Sequence, residues 1–183
     1  MLKIAISGNI ASGESTVEKI IEKSGYRVYD TDKIAHVFLE SSAEVKKVFN
    51  TTNRKEISKV VFNNEDKLKQ LESIIHPLVK NELENIFKGS EKIVFIAVPQ
   101  LFESGFDSMF DKIIFVSANV DTRLKRLMMR NVLSRDEALK RIMAQDDEIE
   151  KIKKSDYVII NNGDFLELEK QVKNILDKLI LVG

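Results

Sequence analysis

Short apolar runs alternate along this chain with longer stretches in which apolar residues recur every three or four positions. Leu2-Lys3-Ile4-Ala5-Ile6 is the first run, and others stand at 26–29, 93–98, 113–117 and 157–160. Runs of this length, apolar on both sides, read as strands buried in a sheet. Between them the period changes. Val17, Ile20 and Ile21 share one face of a helix, with Glu18, Lys19, Glu22 and Lys23 on the other. Leu68, Leu71, Ile74 and Ile75 repeat the pattern, and Pro77 is expected to break or restart that helix. Leu166, Leu168, Val172, Ile175, Leu176 and Leu179 form a closing helix. The alternation predicts an α/β fold, a parallel five-stranded sheet flanked by helices.

Two stretches exceed that minimal plan. Residues 35–88 are mostly helical in pattern, and residues 119–154 are helical and heavily charged. Ser134-Arg135-Asp136-Glu137 reads as a capping box that opens a helix within the second stretch. The length of 183 residues suits one domain, 1–183, carrying both excursions. The formal net charge is zero, so no overall field draws in nucleic acid or an anionic membrane, and neither is expected as a partner. Cysteine is absent, which excludes disulfides and thiolate metal sites. With no signal peptide and no bilayer-spanning apolar run, a cytoplasmic protein is expected. The sequence does not give an oligomeric state.

The chemistry concentrates after the first run. Gly8-Asn9-Ile10-Ala11-Ser12-Gly13-Glu14-Ser15-Thr16 has the glycine spacing and hydroxyl pair of a phosphate-binding P-loop, G-x-x-x-x-G-K-[ST]. Strand, glycine loop and helix come in the required order. Loop amides at a helix N-terminus would then meet phosphate oxygens. Gly8, Ala11, Ser12, Gly13, Glu14, Ser15 and Thr16 are therefore the candidate ATP-binding loop, and the Ser15 hydroxyl is the candidate Mg²⁺ ligand. Glu14 stands where the pattern asks for lysine. A cation about 4 Å from a phosphate charge contributes on the order of 4 kcal/mol at an effective dielectric near 20, and an anion reverses the sign. Glu14 also suits the first turn of a helix, so a loop that only caps a helix and no longer binds ATP is the plainer alternative.

Asp30-Thr31-Asp32 follows the second run, where an α/β sheet presents ligands at the carboxyl ends of its strands. The aspartates are candidates to activate a hydroxyl or to hold Mg²⁺ through water; helix capping by Asp30 or Thr31 is the alternative. Arg123, Arg126, Arg130, Arg135 and Arg141 crowd the second excursion. Phosphoryl transfer needs such cations, while a solvated face paired with Asp146, Asp147, Glu148 and Glu150 is the competing reading. His76 and His36 are the only histidines and suggest no metal cluster.

In order along the chain, these pieces resemble the dephospho-coenzyme A kinase family. The resemblance runs through the glycine loop, Tyr29-Asp30-Thr31-Asp32-Lys33-Ile34-Ala35-His36, Arg54, and Leu71-Glu72-Ser73-Ile74-Ile75-His76-Pro77. It continues through Val98-Pro99-Gln100-Leu101-Phe102-Glu103, Arg126, Arg130, Arg141-Ile142-Met143-Ala144-Gln145 and Asp156-Tyr157-Val158-Ile159-Ile160-Asn161-Asn162-Gly163. It implies a P-loop kinase sheet with a helical acceptor-binding region (35–88) and a lid (119–154). The implied reaction is ATP-dependent phosphorylation of the ribose 3′-hydroxyl of dephospho-CoA, which completes coenzyme A. By resemblance Asp32 is the catalytic base, and Asp30, Arg54 and His76 lie toward the acceptor. Arg130 and Arg141 bind ATP phosphates, and Asn161 and Gly163 end the strand near adenine. Glu14, Gln100 and Arg123 depart from the family pattern, which has lysine, leucine and glutamine there. Two other readings stay open: a catalytically impaired relative that binds nucleotide or a CoA-like ligand, and a kinase for another hydroxyl, such as a nucleoside.

Overall fold

The computed structural model describes residues 1–62, 64–145 and 147–181, so Asp146 lies outside the described residues. Its strands are β1 (Leu2–Gly8), β2 (Val28–Asp30), β3 (Ile93–Ala97), β4 (Lys112–Ser117) and β5 (Tyr157–Ile160). The helices are α1 (Glu14–Lys23), α2 (Thr31–Ser41), α3 (Ala43–Phe49), α4 (Arg54–Val61), α5 (Glu65–Ile86), α6 (Val120–Asn131), α7 (Arg135–Met143), α8 (Glu148–Lys153) and α9 (Phe165–Ile180). The strands form one parallel sheet in the order β2-β3-β1-β4-β5. β1 is central, with Ile6 opposite Ala97 on one side and Ile114 on the other.

The central runs become strands β1, β3 and β4 because both of their faces are covered. Ile4 and Ile6 of β1 join Phe95, Ile114, Val116 and Ile159 in one buried layer, against which α1 places Val17, Ile20 and Ile21. On the same layer α9 places Leu168, Val172, Ile175, Leu176 and Leu179. Each such side chain contributes about 1.5–3 kcal/mol on burial, so the helical stripe decides where α9 docks. Contacts divide the chain into two compact units, residues 1–29 with 91–183, and residues 30–90. The first holds the sheet core with α1 and α6–α9. In the second, α2, α3 and α4 pack on α5.

Two expectations need correction. The second strand begins at Val28 rather than at Tyr26. Gly25, at φ 91°, ends α1 in a Schellman motif: its amide donates to the Glu22 carbonyl at 3.0 Å, and the Tyr26 amide donates to Ile21 at 3.3 Å. Tyr26 thus spends its amide on the helix end and packs edge-on against Phe95, ring centroids 5.3 Å apart. Pro77 does not break its helix, since α5 runs through it. An internal proline costs about 3 kcal/mol. Ile74 and Ile75 before it, and Val79 and Leu83 after it, are buried, and that continuous face outweighs the lost hydrogen bond.

Candidate active site

β1 ends at Gly8, paired with Val116 of β4, and the chain turns at once into the loop that opens α1. The glycines are required by crowding. A Cβ on Gly8 would stand 2.5 Å from Ser12 Oγ and 2.6 Å from the Val116 carbonyl oxygen. Gly13 has φ 103°, and a Cβ there would collide with the Asn161 side chain. Ala11 adopts φ 62°, a left-handed conformation that costs a residue with a Cβ about 1–2 kcal/mol.

Side chains from later elements hold this loop from behind. Asn161, buried after β5, donates its amide to the Ser12 carbonyl at 2.7 Å. Arg126 of α6 donates to the same carbonyl at 3.0 Å and to the Asn161 carbonyl at 3.0 Å. Arg123, one turn earlier, donates from Nε to the Ile10 carbonyl at 3.0 Å, and Gln145 accepts the Ile10 amide at 2.7 Å. Arg123 also donates to Gln145 at 3.0 Å and pairs with Glu148 at 3.2 Å. Lys151 of α8, 4% exposed, donates to Asn9 Oδ1 at 3.1 Å and pairs with Glu103. Helix α6 is aimed by its own cap: Asn119 accepts the Thr122 amide, and the Asn119 amide donates to Asn162 at 2.7 Å.

The Ile10 and Ser12 carbonyls thus face guanidinium groups. The first-turn amides of α1, at Glu14 and Ser15, have no acceptor within their own helix, which is the arrangement that receives an anion. Glu14 folds back over the loop, with its Cγ near Gly8 and Oε1 accepting from Ser12 Oγ at 3.4 Å. Ser15 is exposed on that turn. Burial lowers the Arg123 pKa, while Glu148 and then Glu14 favour its charged form.

In the second unit, Asp30 caps α2. Its carboxylate accepts the Asp32 amide at 2.9 Å and the Lys33 amide at 3.2 Å, so the capping reading holds for this residue. Asp32 is pushed above the ordinary 3.8, first by desolvation and then by the Asp30 charge, and Arg54 at the start of α4 opposes the rise. Asp32 is solvent-exposed, and water screens these effects. Asp30, Asp32 and Arg54 therefore act on one another. His76 lies half-buried on α5.

Arg130 and Arg141 are exposed, and Arg130 Nε donates to the neighbouring Asn131. Gly163 is exposed beyond β5. The arginines that meet the loop are Arg123 and Arg126, spaced as neighbours on one helix face. Sequence reasoning placed Asn9 in the loop without giving it a role and missed Lys151 altogether. A single lysine in a charged helix gives no sign that its ammonium is buried.

Comparison with known proteins agrees with this geometry. The sequence profile of the family described as Dephospho-CoA kinase matches residues 2–167. A dephospho-CoA kinase of Listeria innocua is 37% identical, over 97% of this chain and 96% of the relative. A solved structure from Thermus thermophilus superposes with a TM-score of 0.85 at 34% identity, covering 97% of both chains. The dephospho-CoA kinase from Campylobacter jejuni gives 0.75 at 29%, covering 97% of this chain and 96% of its own. With its glycine loop, its parallel sheet and a match along nearly its whole length, this chain belongs to the dephospho-CoA kinase family.

Proposed function

We infer that this protein transfers the γ-phosphoryl group of ATP to the ribose 3′-hydroxyl of dephospho-CoA, the last step of coenzyme A formation. The observation that carries the reading is the braced loop. Its Ile10 and Ser12 carbonyls are held by Arg123, Arg126 and Asn161, which fixes the loop at the N-terminus of α1, where a helix receives an anion. Family membership supplies the acceptor.

The residues divide the work as follows. Residues 8 and 11–16 cradle the ATP phosphates. Asp32 takes the proton of the attacking hydroxyl, and its raised pKa makes it a stronger base than an ordinary carboxylate. Asp30, Arg54 and His76 serve the acceptor, within a region at 30–90 that handles it. Arg130 and Arg141 approach the phosphates from the lid, and Asn161 and Gly163 border the adenine. Ser15 fits Mg²⁺. Its hydroxyl would hold the ion as one oxygen ligand, with nucleotide oxygens and water supplying the others. Among the described residues no cluster of three or more His, Cys, Asp or Glu side chains offers an all-protein cage. When bound, Mg²⁺ neutralises charge on the β- and γ-phosphates. No helix among the described residues is long and apolar enough to cross a membrane, and a cytoplasmic setting belongs to the same proposal.

A coupled assay of ADP release with dephospho-CoA and Mg-ATP tests this reading, with product phosphorylation at the 3′ position read by mass spectrometry. Absence of turnover with a folded protein, at any acceptor concentration, overturns it.

A further inference from the structure

β5 is the outer strand beyond β4, and among the described residues no strand pairs with its far side. At Ile160, its last residue, a side chain takes that place. Gln171 of α9 accepts the Ile160 amide at 3.0 Å and donates to the Ile160 carbonyl at 2.9 Å. The carboxamide stands in for the peptide group of a neighbouring strand, which satisfies both backbone groups at once. Its height on the strand is set by packing: Leu168 and Val172, which flank Gln171 in the helix, are 3% and 1% exposed in the core.

The Ile160 carbonyl and the Asn161 amide belong to one planar peptide group. Gln171 holds that plane at the carbonyl, and at its other end the amide donates to the Ser117 carbonyl at 2.7 Å. The plane sets the direction in which Asn161 projects its side chain. That side chain donates to the Ser12 carbonyl at 2.7 Å and fills the space a Cβ on Gly13 would need. Ser12 and Gly13 are where the loop passes into α1.

We propose that Gln171 is a positioning residue for the phosphate loop: it fixes the peptide that aims Asn161 at the Ser12 carbonyl, and so supports polyphosphate affinity without itself meeting the nucleotide. The proposal rests on the loop binding ATP, and not on which hydroxyl accepts the phosphoryl group.

The test is calorimetric binding of Mg-ATP, and of Mg-tripolyphosphate as a probe without adenine, to the intact protein, with steady-state KM and kcat alongside. Gln171→Met keeps the stem and removes both bonds to Ile160. It is expected to weaken both ligands about fivefold and to raise KM for ATP in step, with kcat within twofold. In an Asn161→Ala background no amide is left to aim, and the same change is expected to cost less than twofold. Gln171→Glu keeps the acceptor for the Ile160 amide but loses the donor to the carbonyl, and is expected to weaken both ligands at least threefold. Unchanged affinity in Gln171→Met, or equal losses with and without the Asn161 amide, overturn the proposal. A loss confined to ATP, with tripolyphosphate unchanged, puts Gln171 at the adenine end and overturns it too. Should Gln171→Met fail to fold, Gln171→Glu carries the test in both backgrounds, and an unchanged affinity or equal losses there overturn it. A folded parent that binds neither ligand overturns the loop reading and this inference together. ATP binding without transfer to dephospho-CoA refutes the acceptor assignment and leaves this inference standing.

Discussion

Replacing Lys151 with methionine isolates a buried charge that works behind the phosphate loop. The aliphatic stem is kept in outline, and what disappears is the ammonium, with its bonds to Asn9 at 3.1 Å and to Glu103. Asn9 is 2% exposed, so its amide oxygen loses its donor with no water to replace it, at about 1–3 kcal/mol. Breaking a fully buried ion pair costs about 3–5 kcal/mol. The Glu103 side chain, however, is 30% exposed and can rehydrate, so its share is much smaller. Methionine also escapes the desolvation of the ammonium. The net is a loss of about 2 kcal/mol, which in a chain of this size lowers Tm by about 4–8 °C. Because Asn9 belongs to the loop, KM for ATP is expected to rise severalfold with a smaller change in kcat. Circular-dichroism melts and the coupled assay read both effects, and adding Glu103→Gln should restore part of the stability by removing the stranded carboxylate. A Tm within 1 °C of the parent, with KM unchanged, refutes the reasoning (about 2 kcal/mol would then be missing).

Asp32→Asn should abolish most turnover while Mg-ATP still binds, and an unchanged rate would move the base elsewhere. The same change should stabilise the fold near neutral pH. A carboxylate with a raised native pKa binds its proton more tightly when folded, so stability falls as pH climbs from 3.8 through the native value; the benefit of asparagine should vanish below 3.8, as melts across pH will show. Glu14→Lys should tighten Mg-ATP at least tenfold and raise phosphoryl transfer, since repulsion of order 4 kcal/mol becomes attraction; weaker binding in titrations would contradict this. Val132, 93% exposed at φ 52° beyond α6, should gain about 0.5–1 kcal/mol on replacement by glycine: relief of about 1–2 kcal/mol of strain, less the added freedom of the unfolded chain, with denaturant midpoints as the check.

Periodicity made the sheet legible because β1, β3 and β4 are buried on both faces and the helices that cover them, α1 and α9, each carry one apolar stripe. The capping box at Ser134 was equally plain, since its bonds are local, as in the Ser134 amide donating to Glu137 at 2.9 Å. The start of β2 was obscure for the opposite reason. Tyr26 looks like a strand residue, and only the Schellman bond to Ile21 shows that its amide is already committed. Pro77 misled because the buried faces flanking it are supplied by packing within the second unit. The loop itself could be read from nine consecutive letters, but its bracing spans up to 149 positions, as from Asn161 to Ser12. No local pattern predicts that Arg126 grips a carbonyl while Arg130, four residues on, stays exposed.

The anchoring of α6 has a mechanical consequence. A helix pinned at two guanidinium groups to the glycine loop cannot swing without tearing charged bonds from Ile10 and Ser12. It serves as a fixed jamb. α7 shares that footing, because its Ala138 and Ile142 pack with Leu124 and Leu127 of α6, and Ile10 and Ala11 of the loop lie against the same cluster.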